Sequence, residues 1–175
     1  MIKSDVDKFH DVMLRKVRRL ILKKNLVDAN TVGNASKILF SQKGEIELYY
    51  TKFEAFWKRK MYKEALKAYH KAGKPFWHAE TVGRYYEKQG LIKEAMKEYE
   101  YLMTAYSKMG KDFLPLPGGP VELFKLGRWY ISSNPKKAKR YLTLYLRAEE
   151  DNSGTGRGIR HKKQAERLLK ELREL

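Results

Sequence analysis

The sequence predicts an all-α fold of about nine helices arranged as successive helical hairpins. The first observation is the stretch from residue 79 to residue 102, where small and large apolar residues recur at steps of three and four on either side of Gly90. Such steps place residues on one side of a helix, so we expect two helices joined at this glycine. The second observation is internal similarity, since residues 62–69 closely repeat residues 92–99. Repetition of this kind is typical of stacked helical pairs.

The N-terminal part of the chain, residues 1–43, is predicted to form a helical pair. Ser4 is a candidate N-cap, and the apolar residues that follow keep to one helical stripe. In the second helix of the pair, Gly33 interrupts the pattern, so we expect a break there. Gly44 is expected to end this element.

Three helical hairpins follow, predicted over residues 44–75, 76–108 and 121–148. In the central one, Gly83 and Ala95 are small residues at which two helix backbones can approach closely. Tyr86 and Tyr99 are expected to fill the space on either side. A second internal match, between residues 83–86 and residues 127–130, predicts that the third hairpin is built in the same way.

The chain is predicted to end in a capping helix over residues 159–175. This segment is apolar on one side and charged on the other, which is what a repeat stack needs to close its open end. The proline-containing segment 108–120 is long for a connection between helices. It is interpreted either as a flap over a binding groove or as a loop on the outside of the stack. We expect the whole chain, residues 1–175, to form a single domain.

The central hairpin resembles the tetratricopeptide repeat in the order and spacing of its apolar and small residues. The residues that carry the resemblance are Val82, Gly83, Tyr86, Gly90, Ala95, Tyr99 and Leu102. The resemblance implies a right-handed αα-superhelix and a non-enzymatic scaffold for protein–protein interaction. It also implies a concave groove that binds an extended or acidic segment of a partner protein. The spacings between equivalent residues differ from the family repeat of about 34 residues, which predicts an irregular superhelix.

Carried over position by position, the resemblance implies partner-binding residues on the first helix of each pair. The candidates are Tyr50, Trp57, Trp77, Arg84, Lys88, Phe124 and Arg128. Aromatic rings supply contact area at low entropic cost, and guanidinium groups bind carboxylates through paired hydrogen bonds. For each aromatic candidate, the alternative is an ordinary core residue. Glu54 and Glu80 stand where family members that clamp a chaperone tail need a cation or an amide, so we do not expect that ligand.

Composition narrows the class of function. The chain has no cysteine, which excludes disulfides and sulfur-ligated zinc, and its four histidines show no ligand-like spacing. No catalytic constellation or nucleotide motif is present. We therefore predict that the chain has no catalytic residue, metal or cofactor and that it is not an enzyme. The formal net charge of +17 favours acidic partners. The alternative function is therefore a basic helical-repeat protein that binds RNA or single-stranded nucleic acid.

The sequence also bears on location. The N-terminal residues lack the apolar run of a signal peptide, and no later stretch approaches the length needed to cross a bilayer. We therefore expect a soluble, cytoplasmic protein with no membrane partner. Abundant lysine and glutamate together with the absence of cysteine suit a heat-adapted source organism.

Overall fold

A computed structural model describes residues 5–39, 42–108, 121–152 and 161–173 of the chain. Within these ranges there are nine α-helices, one short 3-10 helix and no β-strand, which confirms the all-α prediction. The structure divides into two compact units, Met1–Pro75 and Phe76–Leu175. The expectation of a single domain stays a prediction. Ser4 and most of the proline-containing loop lie outside the described residues.

The first unit contains four helices. They are α1 (Asp5–Leu22), α2 (Leu26–Leu39), α3 (Gln42–Lys58) and α4 (Tyr62–Lys71). Helices α1 and α2 pack as one hairpin and α3 and α4 as another, and α1 also packs against α3. Val17 and Ile21 from α1, Ala29 from α2, and Leu48 and Ala55 from α3 form its buried cluster. Apolar residues at helical spacing therefore meet across three helices, as the hydrophobic pattern requires.

Two glycines that were expected to interrupt helices lie inside them. Helix α2 is continuous through Gly33, and α3 begins at Gln42, before Gly44. A Cβ atom built on Gly33 would lie 3.2 Å from Lys52 Nζ and 3.4 Å from Leu48 Cδ1, both on α3. Gly33 thus permits close packing of α2 on α3. The predicted break was wrong because packing outweighs the helix-propensity cost of about 1 kcal/mol for glycine.

The second unit contains a 3-10 helix (Phe76–His78) and five α-helices. They are α5 (Ala79–Lys88), α6 (Ile92–Lys108), α7 (Val121–Tyr130), α8 (Pro135–Asn152) and α9 (Lys162–Glu171). Helices α5 and α6 form one hairpin and α7 and α8 the next, with α6 against α7 and α9 against α8. One buried cluster runs through these helices, from Ala79 to Leu168. The hairpins of this unit therefore share a continuous core.

Each hairpin of the second unit is closed at a glycine. A Cβ atom on Gly83 would lie 2.5 Å from Cε1 of Tyr99, and one on Gly127 would lie 2.6 Å from Cγ of Leu142. Tyr99 and Leu142 are both fully buried. The two helices of each pair are thus close enough that any larger residue at the glycine requires movement. This confirms the predicted seam at Gly83.

The first three hairpins share one type of connection, in which three residues separate the helices. The middle residue of each connection has a left-handed backbone conformation, and these residues are Lys24, Lys60 and Gly90. The next amide in each case donates to a carbonyl five residues earlier, as in Leu91 to Tyr86 at 2.9 Å. This arrangement satisfies carbonyl groups at the end of the first helix. The first helix of each of these three hairpins therefore ends in the same way.

Candidate functional site

Tyr50 and Trp57, the two predicted partner-binding residues of the first unit, both contact other side chains of that unit. The Tyr50 hydroxyl donates a hydrogen bond of 3.0 Å to Glu54. The Trp57 ring packs against Phe53 and Tyr62, with centroid distances of 5.3 and 5.1 Å. Both predicted side chains are half-buried. The Trp57 ring thus takes part in aromatic packing between α3 and α4, and the Tyr50 hydroxyl takes part in a local hydrogen bond within α3.

Trp77 and Lys88 lie at opposite ends of the α5 region. Trp77 is 56% exposed in the 3-10 helix, and its ring meets Phe76 edge-on at 5.1 Å. Lys88 is exposed at the last residue of α5. The helix between them is about 15 Å long, so the two side chains are not part of one small site.

Arg84 is bound to carboxylates of its own chain. Its Nη2 atom lies 2.6 Å from Glu80 Oε1 and 3.1 Å from Glu122 Oε1. Its Nε–H donates to the same Glu122 oxygen at 3.3 Å, and Glu122 is only 2% exposed. Burial alone would lower the pKa of Arg84, but the two carboxylates raise it above its ordinary value. Arg84 therefore joins α5 to α7 and is already neutralised, which does not suit the predicted role of gripping a partner carboxylate.

A second bridge joins the same two helices. Lys125 Nζ lies 2.6 Å from Glu87 Oε2, and the Tyr99 hydroxyl donates to that oxygen at 2.8 Å. The Lys125 ammonium also lies 5.1 Å from the centroid of the Tyr99 ring. Burial and the hydrogen bond to Glu87 raise the pKa of Tyr99 above its ordinary value. Two ion bridges thus fix the surface of α5 relative to that of α7.

Phe124 belongs to the core, so the prediction that it contacts a partner is corrected. It is 2% exposed, and its ring stacks in parallel on His161 with a centroid distance of 4.5 Å. The buried face of α7 is wider than the predicted stripe and includes this position. The Arg128 guanidinium lies 5.8 Å from the centroid of the Phe124 ring, within cation–π range. Phe124 therefore supports Arg128 from beneath.

Arg128 borders a cleft of about 430 Å³ between the beginning of α6 and the second half of α7. We call it the Arg128 cleft, and its lining residues are Ile92, Met96, Lys125, Arg128 and Trp129. Ile92 is 40% exposed and Trp129 is 43% exposed, so the walls offer apolar surface to solvent. Among the residues that the structure describes, no carboxylate is paired with Arg128. Over the described part of the chain, the cleft thus combines apolar walls with one guanidinium that no carboxylate neutralises.

Sequence reasoning identified Arg128 but missed the other four lining residues. Lys125 and Trp129 lie three residues before and one residue after Arg128, so the three share one side of α7, next to the seam. Trp129 lies outside the buried stripe of α7, and a large aromatic residue at such a position is the sequence feature that could have indicated the cleft. Ile92 and Met96 are also spaced by four residues, but their pattern reads as ordinary packing.

A further cluster surrounds Glu100 of α6. Lys137 Nζ, the Tyr130 hydroxyl and the Tyr141 hydroxyl lie 2.6, 2.8 and 3.2 Å from its carboxylate oxygens. Burial alone would raise the pKa of Glu100, but hydrogen bonds from Lys137 and Tyr130 lower it below its ordinary value. Burial and Glu100 raise the pKa of Tyr141. These contacts tie α6 to the end of α7 and to α8.

No family model, curated protein or solved structure matches this chain significantly. The described residues contain no group of three or more histidine, cysteine or acidic residues that could hold a metal ion. Over the same described ranges, no helix has both the length and the apolar character needed to span a bilayer.

Proposed function

We propose that this chain is a non-enzymatic helical-repeat scaffold that binds an extended or acidic segment of a partner protein, with the Arg128 cleft as its contact site. The observation that carries the proposal is the exposed Trp129 ring beside the Arg128 guanidinium, which no carboxylate of the described residues neutralises. Tryptophan and arginine are the residues most enriched among those that dominate binding energy at interfaces. The proposal keeps the predicted function and moves its centre from the whole first-helix series to one cleft.

The resemblance to tetratricopeptide repeats supports the scaffold class. Its structural counterparts are the hairpins closed at Gly83 and Gly127 and the shared connection geometry of the first three hairpins. The predicted right-handed superhelix belongs to the same proposal, and the hairpin packing within each unit supports it.

The two ion bridges between α5 and α7 support binding without rearrangement. Arg84 with Glu122 and Lys125 with Glu87 hold the helix that carries Arg128 and Trp129 in place. Binding to such a surface costs little ordering of the scaffold, so most of that cost falls on the partner segment. Affinities near micromolar, or roughly −8 kcal/mol, are ordinary for contacts of this kind.

A second candidate function, binding of RNA or single-stranded nucleic acid, is favoured by the beginning of α8. Lys136, Lys139 and Arg140 are exposed there, and the first turn contains no acidic residue. Cations are disfavoured at a helix N-terminus by the helix dipole, so their presence suggests a role beyond stability. A phosphate chain would supply the missing negative charge.

Capture from a lysate of the source cells, with and without nuclease, tests the proposal. The variants are Arg128→Ser with Trp129→Ser, and the matched control Arg147→Ser with Trp77→Ser, which also removes one exposed arginine and one exposed tryptophan. We expect a nuclease-resistant protein partner that is lost with the first pair and retained with the control. A partner that the first pair retains would contradict the assignment of the cleft. Capture that disappears with nuclease would favour the second candidate function.

A further inference from the structure

We propose that the Arg128 cleft recognises a bulky apolar side chain with a single carboxylate next to it, within an acidic segment of the partner protein. This inference rests on the proposed function and specifies the ligand of the same site. It follows from the division of the cleft into an apolar wall and one cationic position.

The apolar wall is formed by Ile92, Met96 and Trp129. The volume of the Arg128 cleft, about 430 Å³, lies near the lower end of the range of roughly 300–1,000 Å³ that is usual for ligand pockets. That space suits one large side chain and the backbone that carries it. Methionine adapts to side chains of different shape, and tryptophan offers a large flat surface. The wall therefore favours leucine, methionine or an aromatic residue without selecting one of them.

Among the described residues that line the cleft, Arg128 is the cation without a neutralising carboxylate, although Lys125 also lines the cleft. Glu87 lies 2.6 Å from the Lys125 ammonium and neutralises it. Arg128 rests over the Phe124 ring, which limits the directions in which its guanidinium can point. A guanidinium held in this way can donate two parallel hydrogen bonds to one carboxylate. The geometry thus fits one carboxylate better than a run of negative charges.

Charge decides between the available occupants. The chain carries a formal net charge of +17, so a second copy would be repelled by the same surface that attracts an acidic segment. A nucleic-acid strand needs several cations in a row to hold its phosphates, and of the two cations among the described lining residues Lys125 is already paired with Glu87. An acidic segment with an apolar anchor satisfies both the wall and the guanidinium.

Fluorescence anisotropy with a set of labelled acidic peptides tests the inference. The reference peptide has a leucine next to an aspartate in a glycine–serine background with further, more distant acidic residues. One variant peptide moves the leucine away from every acidic residue, and another replaces the adjacent aspartate with asparagine. A peptide with the same acidic residues and no large apolar residue completes the set. We expect each change to weaken binding about tenfold, because each removes a contact worth about 1.4 kcal/mol or more.

Protein variants locate the binding. Arg128→Gln should weaken the reference peptide about tenfold, and Arg128→Lys should weaken it less, since lysine keeps the charge but loses the paired hydrogen bonds. Trp129→Ser should weaken it at least as much as Arg128→Gln. The control Arg147→Gln removes the same charge from an exposed position on α8 and should change the affinity less than twofold. Equal effects of Arg128→Gln and Arg147→Gln would overturn the inference, because attraction would then be non-specific.

The outcomes separate this inference from the proposed function. If all acidic peptides bind equally well, with or without the apolar residue, the inference fails and the scaffold proposal stands. The same holds if the captured partner depends on the cleft but contacts it through a segment with no acidic residue. If no peptide binds and no protein partner depends on the cleft, both fail. A single-stranded RNA that binds the cleft with a steep salt dependence, about 0.7 log units per log salt for each phosphate, would also overturn both.

Discussion

The two hairpins of the second unit carry the same short pattern, yet they use its arginine in opposite ways. Arg84 and Arg128 each follow the seam glycine of their hairpin. Arg84 has a glutamate four residues before it and a second glutamate from α7, and both bind its guanidinium. Arg128 has Phe124 at the equivalent place, which supports the guanidinium without neutralising it. A repeat position thus fixes where a side chain lies, and its neighbours decide what it does.

The largest expected effect on stability comes from removing the arginine of the first of these hairpins. Arg84→Ala leaves Glu122 buried without its charged partner, so we expect a loss of about 3 kcal/mol in the free energy of unfolding. Arg128→Ala leaves no buried charge behind and should change the free energy of unfolding by no more than about 0.5 kcal/mol. Urea unfolding followed by circular dichroism measures both.

The double variant Arg84→Ala with Glu122→Gln serves as the control for that comparison. Neutralising Glu122 removes the cost of an unpaired buried charge, so part of the lost stability should return. If the two arginine variants unfold at the same urea concentration, the assignment of a structural role to Arg84 and a surface role to Arg128 is wrong.

Helix packing gives the second prediction. Gly83→Ala places a methyl group 2.5 Å from the Tyr99 ring, which is buried and cannot move away, so we expect a loss of about 1 to 3 kcal/mol. Gly33→Ala is the matched control in the first unit, where the closest atom is the flexible end of Lys52, at 3.2 Å. It should be close to neutral, because alanine also favours the helix by about 1 kcal/mol. Equal losses in thermal unfolding would show that α5 and α6 do not approach at Gly83.

The third prediction concerns stability at alkaline pH. Tyr99 faces the seam glycine Gly83 and can lose a proton, whereas Leu142, which faces Gly127, cannot. The pKa of Tyr99 is raised above its ordinary value of 10.0, mainly by burial and by the hydrogen bond to Glu87. The unfolded chain therefore releases this proton at lower pH than the folded chain does. The contribution to stability is complete below about pH 10 and is lost as the pH rises further.

Replacing the tyrosine tests this assignment. Tyr99→Phe should lower stability at neutral pH through the lost hydrogen bond, by about 1 kcal/mol. Above about pH 10 its stability should fall less steeply than that of the parent chain. Urea midpoints measured across this pH range decide the matter, and parallel curves for the two proteins would contradict the assigned direction of the pKa shift.

The smallest predicted effect concerns Phe124, which distinguishes the surroundings of Arg128 from those of Arg84. Phe124→Leu keeps most of the apolar volume but removes the ring beneath the guanidinium. We expect a loss of about 0.5 to 1 kcal/mol in binding of the acidic reference peptide. The same substitution in an Arg128→Gln background should have no further effect on affinity. An additive loss would mean that Phe124 acts through the core alone.

Much of the fold follows from the sequence because the pattern that predicts it is local. Steps of three and four residues identify the helices, and the glycine that faces Tyr99 is visible as the small member of a stripe. The same local reasoning misread Gly33, since a glycine used for packing against another helix looks like a helix breaker. Only the position of Lys52 on α3 shows the difference.

The candidate site was less predictable, because its chemistry depends on contacts between distant residues. Glu80 is four residues from Arg84 and was a visible partner, but Glu122 lies 38 residues away. No helical period reveals that pair, so the neutralisation of Arg84 could not be seen. The burial of Phe124 similarly depends on the start of α9, where the N-cap residue His161 stacks on the Phe124 ring.

The most direct test of the account compares the side-chain Nε–H signals of Arg84 and Arg128 by nuclear magnetic resonance, before and after addition of the acidic reference peptide. Arg84 Nε–H donates to buried Glu122, so its exchange with water should be slow and unaffected by the peptide. Arg128 Nε–H should exchange rapidly in the free protein and become protected as the peptide binds. Protection that appears at Arg84 while Arg128 stays unchanged would contradict the account.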